Sequence, residues 1–159
     1  MKILVAFYSW QGHTETVARE LAHILDSALV RIEPLNDPTP EMIVKMVRES
    51  PGSRAKIKPC LTDMDEIDHL VIATPVWSHT IPPYTREYLS QLRNCSGKKF
   101  SVLVEMGRIG AESTIAAVRE ILEGNGMTFV ASASTIEDDV EAKQFHETIE
   151  QFSTKILSG

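Results

Sequence analysis

Five short apolar runs punctuate the chain: Ile3 to Phe7, Leu29 to Ile32, Leu70 to Ala73, Val102 to Val104 and Phe129 to Ala131. Most are apolar at successive positions and not at every second one. That pattern belongs to strands covered on both faces, as in the parallel sheet of an α/β protein. Between the runs lie amphipathic helical patterns. Val17, Leu21, Ile24 and Leu25 share one face, as do Ile115, Val118 and Leu122. Met42, Ile43, Met46 and Val47 predict a shorter helix, and Pro82-Pro83 open one that carries Tyr88, Leu89 and Leu92 inward. Ala142, Phe145, Ile149, Phe152 and Ile156 recur at three- and four-residue steps and predict one continuous C-terminal helix. Gly124 and Gly126 stop the helix before it. Ser50 to Thr62, with Pro51, Gly52 and Pro59, reads as an irregular connection within the domain. The order is β-α repeated, with five strands and about five helices on both faces of an open sheet.

The 159 residues fit one domain, spanning 1–159, with a single core that needs no metal or disulfide staple. A net charge of -6 argues against a nucleic-acid binder, which needs a basic face. Two cysteines, Cys60 and Cys95, make no disulfide framework and no metal-ligand spacing, so no metal is expected, and a reducing cytoplasm is the simplest compartment. No apolar run is long enough to span a bilayer, and no membrane association is expected.

In open α/β sheets, ligands bind beyond the carboxyl ends of the strands. Three loops meet that condition. The first, Ser9-Trp10-Gln11-Gly12-His13-Thr14, offers side-chain donors, a glycine turn and a helix start. It can hold an anion without any Lys or Arg, and it lacks both the P-loop and the three-glycine dinucleotide patterns. A single phosphate monoester fits best; a helix start capped by Thr14 is the plainer alternative. The second, Thr74-Pro75-Val76-Trp77-Ser78, places an indole at the ligand edge, either as a ring platform or as a packed aromatic. The third, Glu105-Met106-Gly107-Arg108-Ile109-Gly110, lets backbone approach a ligand closely, and Arg108 is its candidate for positive charge near a ring. No side chain is assigned a catalytic role. Clustered acids after the first strand, which a phosphoacceptor domain needs, are missing, and neither cysteine is followed by the Arg of a thiol phosphatase.

These motifs resemble the flavodoxin-like FMN proteins along nearly the whole chain. The Ser9 to Thr14 loop is similar to their phosphate loop, with Gln11 in place of a Thr. The Tyr8-Ser9 start and Gly12-His13-Thr14-Glu15-Thr16 are similar to the FMN-dependent quinone reductases of that superfamily. The Thr74 to Trp77 segment with Pro82-Pro83 and Tyr88-Leu89 resembles small single-domain members. The resemblance implies a five-stranded parallel sheet of order 2-1-3-4-5 between two helical layers, and FMN as cofactor. It implies FMN-binding residues Ser9, Trp10, Gln11, Gly12, His13, Thr14, Pro75, Val76, Trp77, Ser78, Glu105, Met106 and Gly107. An electron-transfer protein is the first expectation, its acidic balance suiting a basic redox partner. A small FMN-dependent NAD(P)H:quinone-type oxidoreductase, serving a small-molecule electron acceptor, is the alternative. A monomer and a homodimer are both compatible with the sequence.

Overall fold

The computed structural model describes residues 1–49 and 52–159. The elements run β1 (Ile3–Phe7), α1 (His13–Leu25), β2 (Ala28–Arg31), α2 (Pro40–Glu49), β3 (His69–Pro75), α3 (Pro83–Gln91), β4 (Lys99–Met106), α4 (Ala111–Gly124), β5 (Thr128–Ile136), α5 (Glu137–Glu141) and α6 (His146–Ser158). The strands form one parallel sheet of order β2-β1-β3-β4-β5, as the resemblance implied.

The successive apolar positions are explained by two cores, one on each face. Ile3, Val5 and Phe7 of β1 point toward α1 and α6, where they meet Val17, Leu21, Phe152 and Ile156. Leu4, Ala6 and Tyr8 point the other way, toward Tyr84, Tyr88, Leu89, Val118 and Leu122. Both edge strands are partly open: β2 has no buried residue, and β5 buries only Ala131 and Thr135. The β5 strand runs well past its apolar start into Ser132, Ala133, Ser134 and Thr135, paired with β4 as far as Ile136.

The expected single C-terminal helix is two. Lys143 takes a left-handed backbone (φ 58°), the Lys143 N–H donates to the Val140 carbonyl and the Gln144 N–H to the Asp139 carbonyl. That is a Schellman stop closed without glycine. Phe145 is buried just outside α6, whereas Ala142 is exposed. The Ser50 to Thr62 connection is also more ordered than expected. Its Ser50 and Pro51 lie outside the described residues, but Ile57 bridges antiparallel to Pro34, flanked by bonds from Leu35 N–H to Lys56 O and Lys58 N–H to Glu33 O. Among the described residues no helix is long and apolar enough to cross a membrane.

Candidate functional site

The β1–α1 loop turns at Gly12, whose φ of 97° favours glycine, and Gly12 is the N-cap of α1. The alternative of a Thr14 cap is not realised: no side chain caps α1, and the Thr14 hydroxyl lies 3.5 Å from Glu105 Oε2. The first-turn N–H groups of α1 therefore face the loop without an intrahelical acceptor. Ser9 is buried, and its Oγ accepts the Gly12 N–H at 3.1 Å, which leaves the hydroxyl proton free to donate outward. A Cβ built on Gly12 would meet nothing within 4 Å, so the space over the turn is open. A cavity of about 40 Å³ over this loop is lined by Ser9, Gln11, His13, Thr14 and Glu105, with no Lys or Arg among its walls.

His13 is tied down from the far side. Its Nε2 lies 3.0 Å from Glu141 and 3.8 Å from Glu137, both on α5. These three ligand atoms lie within 4.8 Å of one another, a cluster joined across the fold that no sequence spacing displays.

The β3–α3 loop forms a tight hairpin. Trp77 and Thr80 exchange both backbone hydrogen bonds, at 2.9 and 3.1 Å, and Ser78 and His79 take positive φ values of 49° and 64°. Two left-handed central residues are what such a two-residue turn requires, and they are strained for non-glycine residues. The turn fixes Trp77 edge-on to Tyr8, Trp10 and Tyr84, with ring centroids 5.6, 6.4 and 6.3 Å away. The β4–α4 loop closes against it. A Cβ on Gly110 would sit 2.6 Å from Val76 Cγ1, and the Val76 N–H donates to the Glu105 carbonyl at 3.0 Å.

Beside the small cavity, and sharing Trp10, Gln11, Pro75, Trp77 and Glu105 with it, is a cleft of about 370 Å³. Val76, Ser78, Met106 and Gly107 complete the part drawn from the expected loops. Every expected site residue therefore lines one of the two spaces except Gly12, whose role is the turn. Arg108 is exposed and outside the lining; the cation of the cleft is Arg48. Arg48 comes with Ile43, Val44 and Val47 from α2, and Glu137 adds a carboxylate. The apolar spacing predicts this helix but not its place beside the cleft. α2 has no buried residue; Ile43, Val44 and Val47 line the cleft, while Met46 packs against the core. A wider depression of about 560 Å³ lies on the α4 surface among Glu112, Arg119, Glu120 and Glu123. It has no aromatic residue in its lining and shares none of the residues of the three loops.

Glu105 belongs to both spaces. It is 7% exposed, and burial raises its carboxyl above the ordinary carboxylate range. His13 opposes that shift, Glu137 adds to it, and the Thr14 hydroxyl opposes it. Burial also raises the Tyr8 phenol, whose buried hydroxyl has no partner among the described residues.

Comparison with known proteins matches residues 1–141 to the family model described as NADPH-dependent FMN reductase. Among solved structures, a flavoprotein from Bacteroides uniformis is 19% identical, with a TM-score of 0.77, over 96% of this chain and 97% of that one. A flavoprotein in complex with FMN from Lactobacillus acidophilus is 19% identical, with a TM-score of 0.69, over 90% and 97%. An NADH:FMN oxidoreductase in its apo form is 22% identical, with a TM-score of 0.58, over 97% and 89%. These structures share the fold.

Proposed function

The chain belongs to the NADPH-dependent FMN reductase family, and from that premise we propose that it is an FMN-dependent oxidoreductase drawing electrons from a nicotinamide donor. FMN is its cofactor. The observation that carries the reading is the joining of two spaces: a donor-rich, cation-free turn sized for one anion, and an adjacent aromatic cleft. Its volume falls within the range of small-ligand sites. Ser9, Gln11, Thr14 and the first-turn N–H groups of α1 would hold the phosphate, and Trp77, Pro75 and Gly107 would border the ring. Bound FMN supplies the redox chemistry, and the protein supplies binding, orientation and access.

The protein's own groups then have separable tasks. The Trp77–Thr80 turn holds the indole in one place. Gly110 lets two loops close over the strand ends. Arg48, at the α2 wall, meets anionic groups of an incoming donor. Among the described residues no carboxylate pairs with Arg48, Arg86 or Arg108, and of these only Arg48 lines the cleft; Arg19, Arg31, Arg54, Arg93 and Arg119 are each engaged by one.

The test is anaerobic mixing of the FMN-loaded protein with NADPH while the flavin absorbance band is followed. Bleaching within a turnover time supports the reading. A band that dithionite bleaches and NADPH leaves untouched overturns it. An electron-transfer protein is the second reading, favoured by the net charge of -6, which suits a basic redox partner. Unpaired Cys60 and Cys95 support a reducing compartment such as the cytoplasm.

A further inference from the structure

Glu105 presents a problem that the FMN reading sharpens. The residue is 7% exposed at the end of β4, and among the described residues its one side-chain hydrogen bond is the long 3.5 Å contact with Thr14. A buried ionised carboxylate with so little support is costly. Thr135, its in-register neighbour on β5, is also buried, and its hydroxyl has no partner among the described residues. Glu105 lines the small cavity with Ser9, Gln11, His13 and Thr14, where a phosphate would bring further negative charge. No Lys or Arg lines that cavity to offset two anions in contact.

We propose that Glu105 carries a proton in the FMN-bound protein and offers its neutral carboxyl to the phosphate as a hydrogen-bond donor, so that FMN binding takes up a proton. This rests on the β1–α1 loop being the phosphate cradle.

The groups around Glu105 are consistent with this assignment. From α5, Glu137 disfavours the charged form. From α1, His13 and the Thr14 hydroxyl favour it, but His13 Nε2 is already held by Glu141 at 3.0 Å. On β3, the wall beside Glu105 is Pro75, which carries no charge. Burial remains the largest influence, and it acts toward the neutral acid. A phosphate dianion in the cavity adds repulsion of the same sign. The sign of the linkage follows: above the free carboxyl's pKa, each FMN bound must draw a proton from solvent, so affinity falls as pH rises. Glu105 is thus a direct donor to the phosphate.

The experiment is a titration of wild type and Glu105→Gln with FMN, and in parallel with riboflavin, from about pH 5.5 to about 8.5. Glutamine is nearly isosteric and donates at every pH. The phosphate's own second ionisation, near pH 6, is common to both proteins and cancels in the ratio of their dissociation constants. The expected ratio, wild type over variant, grows by about tenfold or more across the range for FMN, since one linked proton gives at most a decade per pH unit. It stays flat for riboflavin. A flat FMN ratio alongside a clear preference for FMN over riboflavin overturns the role of Glu105 and leaves the cradle standing. A riboflavin ratio that grows equally shows that the proton does not serve the phosphate, and overturns the proposal. No preference for FMN over riboflavin in either protein removes the cradle and the proposal with it. The wild-type protein gives an independent readout if the variant folds poorly. The side-chain carboxyl carbon of Glu105, followed by NMR in the FMN complex, is expected to titrate well above the ordinary carboxylate range. Titration within that range overturns the proposal.

Discussion

At Trp77 a single side chain joins the aromatic packing to the proposed ring site. Its edge-on contacts with Tyr8, Trp10 and Tyr84 fix its orientation, while the residue itself stays only half-buried at the cleft wall. Loss of one aromatic contact costs about 0.5–1.5 kcal/mol. Trp77→Ala is therefore expected to weaken FMN binding by roughly three- to tenfold. In a Trp10→Phe background, FMN is expected to quench indole fluorescence when Trp77 is present. Unchanged affinity in Trp77→Ala would make the indole a structural aromatic only. At the amino-terminal end of the central strand β3, His69 is fully buried, with Nε2 2.9 Å from Ser101 Oγ and Nδ1 unpartnered among the described residues. Burial, helped by the Lys99 charge, pushes its imidazole down to about 4 from an ordinary 6.5. A depressed folded-state pKa means the unfolded chain binds the proton first as pH falls. The neutral histidine's contribution is therefore complete above about pH 6.5 and is lost toward about pH 4. The loss amounts to roughly 3 kcal/mol, at about 1.36 kcal/mol per pKa unit. Denaturant unfolding across that window should show it, and His69→Gln should flatten the profile. Neither residue's environment is written in its neighbours along the chain: Trp77 is placed by a turn built from Ser78 and His79, which carries no Gly or Asn signal, and His69 begins a strand in otherwise apolar company.

Element by element, what was legible followed burial. The fully covered strands β1, β3 and β4 announce themselves by unbroken apolar runs, and the α1 and α4 faces by periodicity. The edge strand β5 was legible only at Phe129 to Ala131, because its Ser132 to Thr135 stretch needs little apolar surface where the sheet is partly open. The α5–α6 break was hidden because its left-handed stop uses Lys143, so no glycine marks it and the apolar spacing reads through. The loops after β1, β3 and β4 could be found by their place in the topology, whereas α2 could not. Its Ile43 and Val47 have the spacing of a core helix, yet they line the cleft. That position gives Arg48 its expected role. A charged hydrogen bond to a phosphate contributes about 1.5–3 kcal/mol when well sheltered. At an exposed site, Arg48→Gln is expected to raise KM for NADPH by roughly three- to tenfold with kcat nearly unchanged. An unchanged KM would place the donor elsewhere on the rim.

For the whole molecule, the sheet order brings three separate loops to one edge, and each is ordinary alone. The switch point between β1 and β3 opens the anion turn beside the aromatic cleft, with Glu105 at their junction. The central claim is that the turn holds the FMN phosphate while the cleft holds the ring. Riboflavin has the same ring without the phosphate, so the two affinities isolate the turn. Several N–H donors acting on a dianion together contribute about 3 kcal/mol or more, equivalent to a preference of roughly a hundredfold or more. The direct measurement is the ratio of riboflavin to FMN dissociation constants for the apoprotein, read by fluorescence at one pH and salt. A ratio of about a hundred or above is the predicted result; equal dissociation constants would contradict the claim.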